Sequence, residues 1–173
     1  NTEDGIEVKV HPMLIPNNHP LANVNDAFNA VFVHGKAMDD AMFMGRGAGQ
    51  MPTASAVVGD IIDVCRNIVH DSCGRIGCCC YKNLEVKDIT DTKSKFFLRL
   101  EVADKQGVLA NIASVLGNSG VSIAQVVQKS GKDGVAELVI ITAEVLEKNF
   151  NDAMAVFKGL SAVKNIAGVI RVY

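Results

Sequence analysis

Hydrophobic residues recur at intervals of three and four through Ala54, Val57, Val58, Ile61, Ile62 and Cys65. That period predicts an amphipathic helix with one buried face, on which Cys65 counts as a small hydrophobe. Pro52 and Thr53 supply its start signals. An apolar, strand-like run from Met42 leads into the helix through three glycines, Gly45, Gly47 and Gly49. From Asn67 to Ser94 the periodicity lapses, interrupted by His70, Asp71, Ser72, Gly74 and Gly77. Residues 71–94 therefore read as a connector, with one short strand expected at Leu84 to Ile89.

Beyond the connector the pattern alternates. Phe96 to Val102 predicts a strand, and Val108 to Asn118 a helix with Leu109, Ile112, Ala113 and Leu116 on one face, ended by Gly120. Strands are predicted at Val121 to Gln128 and Val135 to Thr142, with a hairpin loop at Gly131 to Gly134 between them. A helix from Glu147 to Leu160 and a strand from Val163 to Tyr173 complete the order βαββαβ. Residues 95–173 are thus expected to form a four-stranded antiparallel sheet with both helices on one face, the ferredoxin-like arrangement, after an α/β region over residues 1–70. The other sheet face or an edge strand is left for a second copy, so a homo-oligomer is expected.

The glycine turn has its own chemistry. Gly45, Gly47 and Gly49 permit positive φ and close approach of a ligand, and the helix behind them aims unpaired N–H groups at the same place. Such a turn suits an anion or a carboxamide. Arg46 would meet a cofactor phosphate or a substrate carboxylate, or else pair with Asp60 along the helix. The turn reads Gly-x-Gly-x-x-Gln, so it departs from the dinucleotide-binding fingerprint at the third glycine, and no βαβ unit surrounds it. On the glycines alone, a tight turn without a ligand is the simpler reading.

The run from Met42 to Ile62 resembles the carboxy-terminal part of the catalytic domain of homoserine dehydrogenases. So does His11-Pro-Met-Leu-Ile-Pro-Asn-Asn-His-Pro-Leu-Ala-Asn-Val-Asn-Asp-Ala-Phe-Asn-Ala30 before it. The two motifs stand in the family's order and cover residues 5 to about 68. The resemblance implies an enzyme that interconverts aspartate semialdehyde and homoserine with NAD or NADP, in the branch leading to threonine, methionine and isoleucine. It implies that Gly45, Arg46, Gly47, Ala48 and Gly49 contact the cofactor or bound homoserine. The family's Rossmann domain and its Asp-x-x-Gly-x-Asp-x-x-x-Lys segment, which carries the catalytic lysine, do not occur in these 173 residues. Catalytic residues are accordingly expected only in the full-length enzyme, and this piece alone is expected to be inactive. The opening Asn1 to Gly5, polar and without an initiator methionine, leads to the expectation of a truncated product.

Leu100 to Ile123 is similar to the opening half of an ACT domain, through Asp104-Lys-Gln-Gly-Val-Leu109 and Asn118-Ser-Gly-Val-Ser-Ile123. The resemblance implies an amino acid bound between paired domains, which here maps onto Asp104 through Leu109 and Asn118 through Gln125. An amino acid wants N–H donors for its carboxylate, which the Gly107-Val108-Leu109 turn offers, and acceptors for its ammonium, for which Asp104, Asn118 and Gln125 are candidates. The expected effector shell is therefore Asp104, Gly107, Val108, Leu109, Asn118, Ile123 and Gln125. Without the resemblance, Asp104 reads as a helix cap and Gly107 as a turn residue. Gln125 and Gln128 face opposite sides of their strand, so only one addresses a given cavity, and Gln125 is favoured. Threonine is the implied effector, although isoleucine, methionine or no ligand fit the same residues.

Composition narrows the alternatives. The chain is 49% hydrophobic with no tryptophan and 5% aromatic residues, so its cores are expected to be aliphatic. A net charge of −2, with 17 basic residues spread along the chain, argues against a nucleic-acid partner. No apolar run approaches the roughly 18 residues that span a bilayer, and a cytoplasmic location is expected.

Cys73, Cys78, Cys79 and Cys80 crowd together without paired C-x-x-C spacing, and His11, His19, His34 and His70 share no metal-ligand spacing. No metal is expected, and a redox or metal role for Cys73 to Cys80 is the weakest reading. A non-catalytic amino-acid sensor or oligomerisation module is the alternative to part of an enzyme.

Overall fold

The computed structural model describes residues 5–74, 83–129, 131 and 133–173. The chain divides into two compact units, Ile15–Asn83 and Asn1–Leu14 with Leu84–Tyr173, and the division after Asn83 falls within residues 71–94. Cys78 to Cys80 and Gly77 lie outside the described residues.

In the unit containing Leu84–Tyr173, strands β4 (Lys93–Ala103), β5 (Ile123–Lys129), β6 (Val135–Thr142) and β8 (Val163–Val172) form an antiparallel sheet in the order β8-β4-β6-β5. A two-residue strand β7 (Val145–Leu146) pairs with the start of β4. Helices α2 (Val108–Asn118) and α3 (Glu147–Gly159) cover one face. Alternate residues of β4 and β6, from Phe96 to Val102 and from Ala136 to Ile140, are buried against Val108, Ile112 and Leu116 of α2 and Phe150, Ala153 and Phe157 of α3. This is the ferredoxin-like arrangement that the alternation predicts. Thr142 is fully buried, and its hydroxyl accepts the Phe96 N–H at 2.9 Å, which satisfies an amide that would otherwise be orphaned.

The same sheet carries a strand that periodicity does not foresee. Residues 13–14 form β1 (Met13–Leu14), which pairs in parallel with Arg171 and Val172 of β8. Further hydrogen bonds fasten the preceding segment: Ile6 N to Glu85 O and Lys87 N to Ile6 O, both at 2.9 Å. Gly5 has φ +136°, and a Cβ there would lie 2.7 Å from the Glu85 carbonyl, so the close approach requires glycine. The expected strand at Leu84 to Ile89 is reduced to one bridge, Ile6 to Val86. The Asp88 side chain accepts from Thr90 N at 2.8 Å and starts a 3-10 turn at Ile89–Asp91, and this local competition ends any extended pairing.

The unit Ile15–Asn83 contains a hairpin of β2 (Phe28–Gly35) and β3 (Asp39–Arg46), followed by α1 (Gln50–Val69). The helix begins two residues before Pro52. The expected buried face is not found: no residue of α1 is buried, Cys65 is exposed, and Val57, Val58, Ile61, Ile62 and Ile68 are 45% to 63% exposed. The hairpin and the helix offer too little surface to cover the stripe. No helix among the described residues is long and apolar enough to cross a membrane.

Candidate effector site

After Ala103 the chain turns through Asp104–Gly107 into α2. Asp104 N donates to Gly134 O at 2.9 Å, which ties the turn to the β5–β6 hairpin. Gly107 has φ +85°, a left-handed conformation that side chains resist, and nothing lies within 4 Å of where its Cβ would stand. Backbone conformation, not crowding, calls for glycine there. No side chain caps α2, so the Asp104 carboxylate is not spent as a cap. Asn111 N takes the Gly107 carbonyl and Val108 N that of Lys105. The amides of Leu109 and Ala110 are left without an acceptor among the described residues, as at any helix start.

A cavity of 310 Å³ lies against this turn, its rim formed by Asp104, Lys105, Gln106, Gly107, Leu109 and Gln128, its apolar floor by Val102, Val108 and Leu138. Open N–H groups, a carboxylate without a partner among the described residues and amide side chains within one cavity match the two charges of an amino acid. Of the expected shell, Asp104, Gly107, Val108 and Leu109 line this cavity. Asn118, Ile123 and Gln125 do not. Asn118 closes an eleven-residue helix, about 16 Å along the axis from its start.

Gln125 is displaced by a register shift. Ile123 pairs with Thr142 but Gln125 with Ile141, so Ala124 is an extra residue in β5. The bulge moves Gln125 to the sheet face opposite the helices and sets Gln128 opposite Leu138, on the helix side. The odd separation of the two glutamines holds; which of them reaches the cavity depends on the bulge, a feature with no sequence signal here beyond a small residue.

At the glycine turn, a second cavity of 310 Å³ is lined by Asn29, Ala30, Val31, Phe43, Met44 and Gly45–Gly47. Ala48 and Gly49 stand outside it. Only Gly49 of the three glycines has positive φ, +124°, where it caps α1 through Thr53 N to Gly49 O at 3.1 Å. Gly47 serves close packing, since a Cβ would run into the Asn29 side chain. The Arg46 guanidinium stacks 4.9 Å over Phe28 and makes no ion pair with Asp60 among the described residues.

A charged cluster occupies the opposite end of the larger unit. Glu147, at the start of α3 and 3% exposed, receives Arg171 Nε at 2.6 Å, Arg171 Nη2 at 2.7 Å and the Ser94 hydroxyl at 2.9 Å. Burial pushes its carboxyl up, but the hydrogen bonds from Arg171 and Ser94 outweigh that and hold it below the usual range. Lys9 reaches the cluster from the amino-terminal segment, 3.0 Å from Ser94 Oγ and 2.6 Å from Glu7. His11 is held below the ordinary histidine value by burial and by the charges of Arg171 and Lys9. Other histidines are used locally: His19 Nδ1 caps a 3-10 turn, and His34 meets Asp40 at 2.7 Å.

Residues 2–62 match the family model for homoserine dehydrogenase, and residues 90–171 match that for an ACT domain. The homoserine dehydrogenase of Corynebacterium glutamicum is 41% identical over 170 residues, which are 98% of this chain and 38% of that protein. That of Pseudomonas aeruginosa is 37% identical over 178 residues, 99% of this chain and 41% of that protein. The crystal structure of a homoserine dehydrogenase from Thiobacillus denitrificans superposes with a TM-score of 0.87 at 37% identity, covering 99% of this chain and 40% of that one. The chain thus spans about two fifths of the length of these relatives. With both segments matched in order and its fold shared over nearly its whole length, the chain belongs to the homoserine dehydrogenase family, of which it carries the carboxy-terminal part and its ACT domain.

Proposed function

We propose that this chain is the effector-sensing part of an NAD(P)-dependent homoserine dehydrogenase, which interconverts L-aspartate 4-semialdehyde and L-homoserine, and that threonine binds at the β4–α2 turn as feedback inhibitor. The observation that carries the reading is the uncapped helix start at Gly107. It places open N–H groups, the Asp104 carboxylate and the Gln128 amide around one cavity in a domain matched to the ACT family. The amino acid's carboxylate takes the N–H groups of Leu109 and Ala110, Asp104 takes its ammonium, and Gln128 meets a side-chain hydroxyl. Inhibition then follows if the inactive arrangement binds threonine better than the active one.

The glycine turn fits a contact to the nicotinamide cofactor, not its cradle. Arg46 and the open start of α1 suit a phosphate or carboxylate, yet β2 and β3 form an antiparallel hairpin where a dinucleotide cradle needs parallel strands around a helix. Gly45–Gly49 are therefore assigned a touching role in the complete enzyme, whose remaining length supplies the cradle and the catalytic groups. The uncovered stripe of α1 and the free edge at β5 are the surfaces assigned to a cytoplasmic homo-oligomer.

Thermal unfolding in matched millimolar threonine, isoleucine, methionine and homoserine tests the effector. Threonine at 100 times its Kd is expected to add about 2.7 kcal/mol, and Gln128→Ala to remove the shift. No shift with any of them, in this chain and in the full enzyme, would remove the assignment. In the full enzyme, Gly47→Val is expected to raise KM for cofactor or homoserine because the new side chain displaces Asn29; unchanged kinetics would detach the glycine turn from the active site.

A further inference from the structure

A cavity of 380 Å³ opens between the Glu7–Met13 segment, the start of β4 and the end of β8, and it shares no lining residue with the cavity at the β4–α2 turn. We infer that it is a second ligand site, built for a small aliphatic monocarboxylate.

Charge is the first argument. Lys9, Lys93, Lys95 and Arg171 line the cavity against Glu7 and Glu144, with buried Glu147 behind the wall. Among these side chains four are cationic and three anionic, in a chain whose net charge is −2. The exposed ammonium groups at the cavity's mouth favour an anion over a cation.

The second argument is donor capacity. Arg171 is committed to Glu147, and Lys9 to Glu7, Ser94 and the Lys93 carbonyl, so these groups fix the wall. Lys93 has no side-chain partner among the described residues, and Lys95 spends one of its three N–H groups on the backbone carboxylate oxygen of Tyr173 at 3.1 Å. His11 lines the same cavity, and its Nε2 is buried without a hydrogen-bond partner among the described residues. An orphaned buried nitrogen is costly, and the space beside it is large enough for the missing partner. Burial and the neighbouring cations lower the imidazole's pKa and so favour its neutral form, whose tautomer protonated at Nε2 donates to a carboxylate oxygen without adding a charge. Met13, Val172 and Tyr173 supply apolar wall for an aliphatic tail.

Sodium butyrate is the probe. Titrated into the intact 173-residue chain at constant ionic strength and followed by the NMR signals of the histidine side chains, it is expected to give a saturable shift at His11. Lys93→Gln and His11→Phe are each expected to weaken binding by about tenfold, and Asp104→Ala to leave it unchanged. The Lys93 variant removes an exposed ammonium, so it keeps the test valid if the His11 variant fails to fold. Non-saturating shifts, an equal response to chloride, or full affinity in Lys93→Gln would overturn the site and leave the orphaned nitrogen to water. Butyrate binding lost in Asp104→Ala but kept in Lys93→Gln would overturn it too, by moving the ligand to the β4–α2 cavity. Threonine binding is read separately through Asp104→Ala, so the failure of either site is distinguishable from that of the other.

Discussion

Between Phe96 and Phe157, fifteen hydrophobic side chains are buried in one core, while between Ile15 and Asn83 no described side chain is buried at all, although α1 repeats its apolar spacing just as regularly. Periodicity states which face of an element seeks cover. It does not state that the same stretch of chain provides it. β4 and β6 lie at the middle of a sheet wide enough to seat two helices, whereas the strands described in the unit of α1 form a two-stranded hairpin. An amphipathic helix of this kind gets its stability from packing, so its uncovered stripe is the surface proposed above to meet another copy.

Substitutions in the two units should separate them by several kcal/mol. The largest effect is expected at Glu147→Ala, which strands Arg171 beside a buried aromatic pair, Phe96 on Phe150, and should cost about 3–5 kcal/mol in urea unfolding. The pH dependence has a definite sign. Because the folded carboxyl is depressed, its contribution is present above the unfolded carboxylate value and fades as pH falls through the depressed one. Wild type and Glu147→Gln should therefore converge in midpoint on acidification, and parallel curves would show that the pair carries no linkage.

Leu138→Ala removes a core side chain and is expected to cost about 2–5 kcal/mol. Thr142→Val keeps the volume but orphans the Phe96 amide, for about 1–3 kcal/mol. Ile61→Ala on α1 is expected to stay within about 0.5 kcal/mol in the dilute chain. A cost several times larger that grows with protein concentration would mean that second copies already cover the stripe.

The elements stabilised by their own spacing were legible. α2 and β6 run over Val108–Asn118 and Val135–Thr142, the bounds their periodicity predicts, and Gly107 occupies the left-handed turn that its position implies. What escaped depends on distant partners or on phase. β1 is two residues whose pairing partner comes at the far end of the chain, and β2 lacks a short Asn-Gly or Asp-Gly turn to announce its hairpin with β3. Ala124 reverses the faces of Gln125 and Gln128 without altering any hydrophobic count. The stacking of Arg46 on Phe28 is likewise decided by strand register, Phe28 lying opposite Arg46.

The pairing of Met13 with Arg171 also bears on how the chain folds. That ladder closes a loop of about 160 residues, and loop-closure entropy together with high contact order makes such a contact among the slowest to form. The antiparallel sheet of β8, β4, β6 and β5 joins strands closer in sequence and is expected to form before β1 arrives. Until it does, the outer edge of β8 is bare and open to pairing with another chain. During synthesis, protection of that edge must wait until β8 itself has left the ribosome, although the strand that supplies it emerged far earlier.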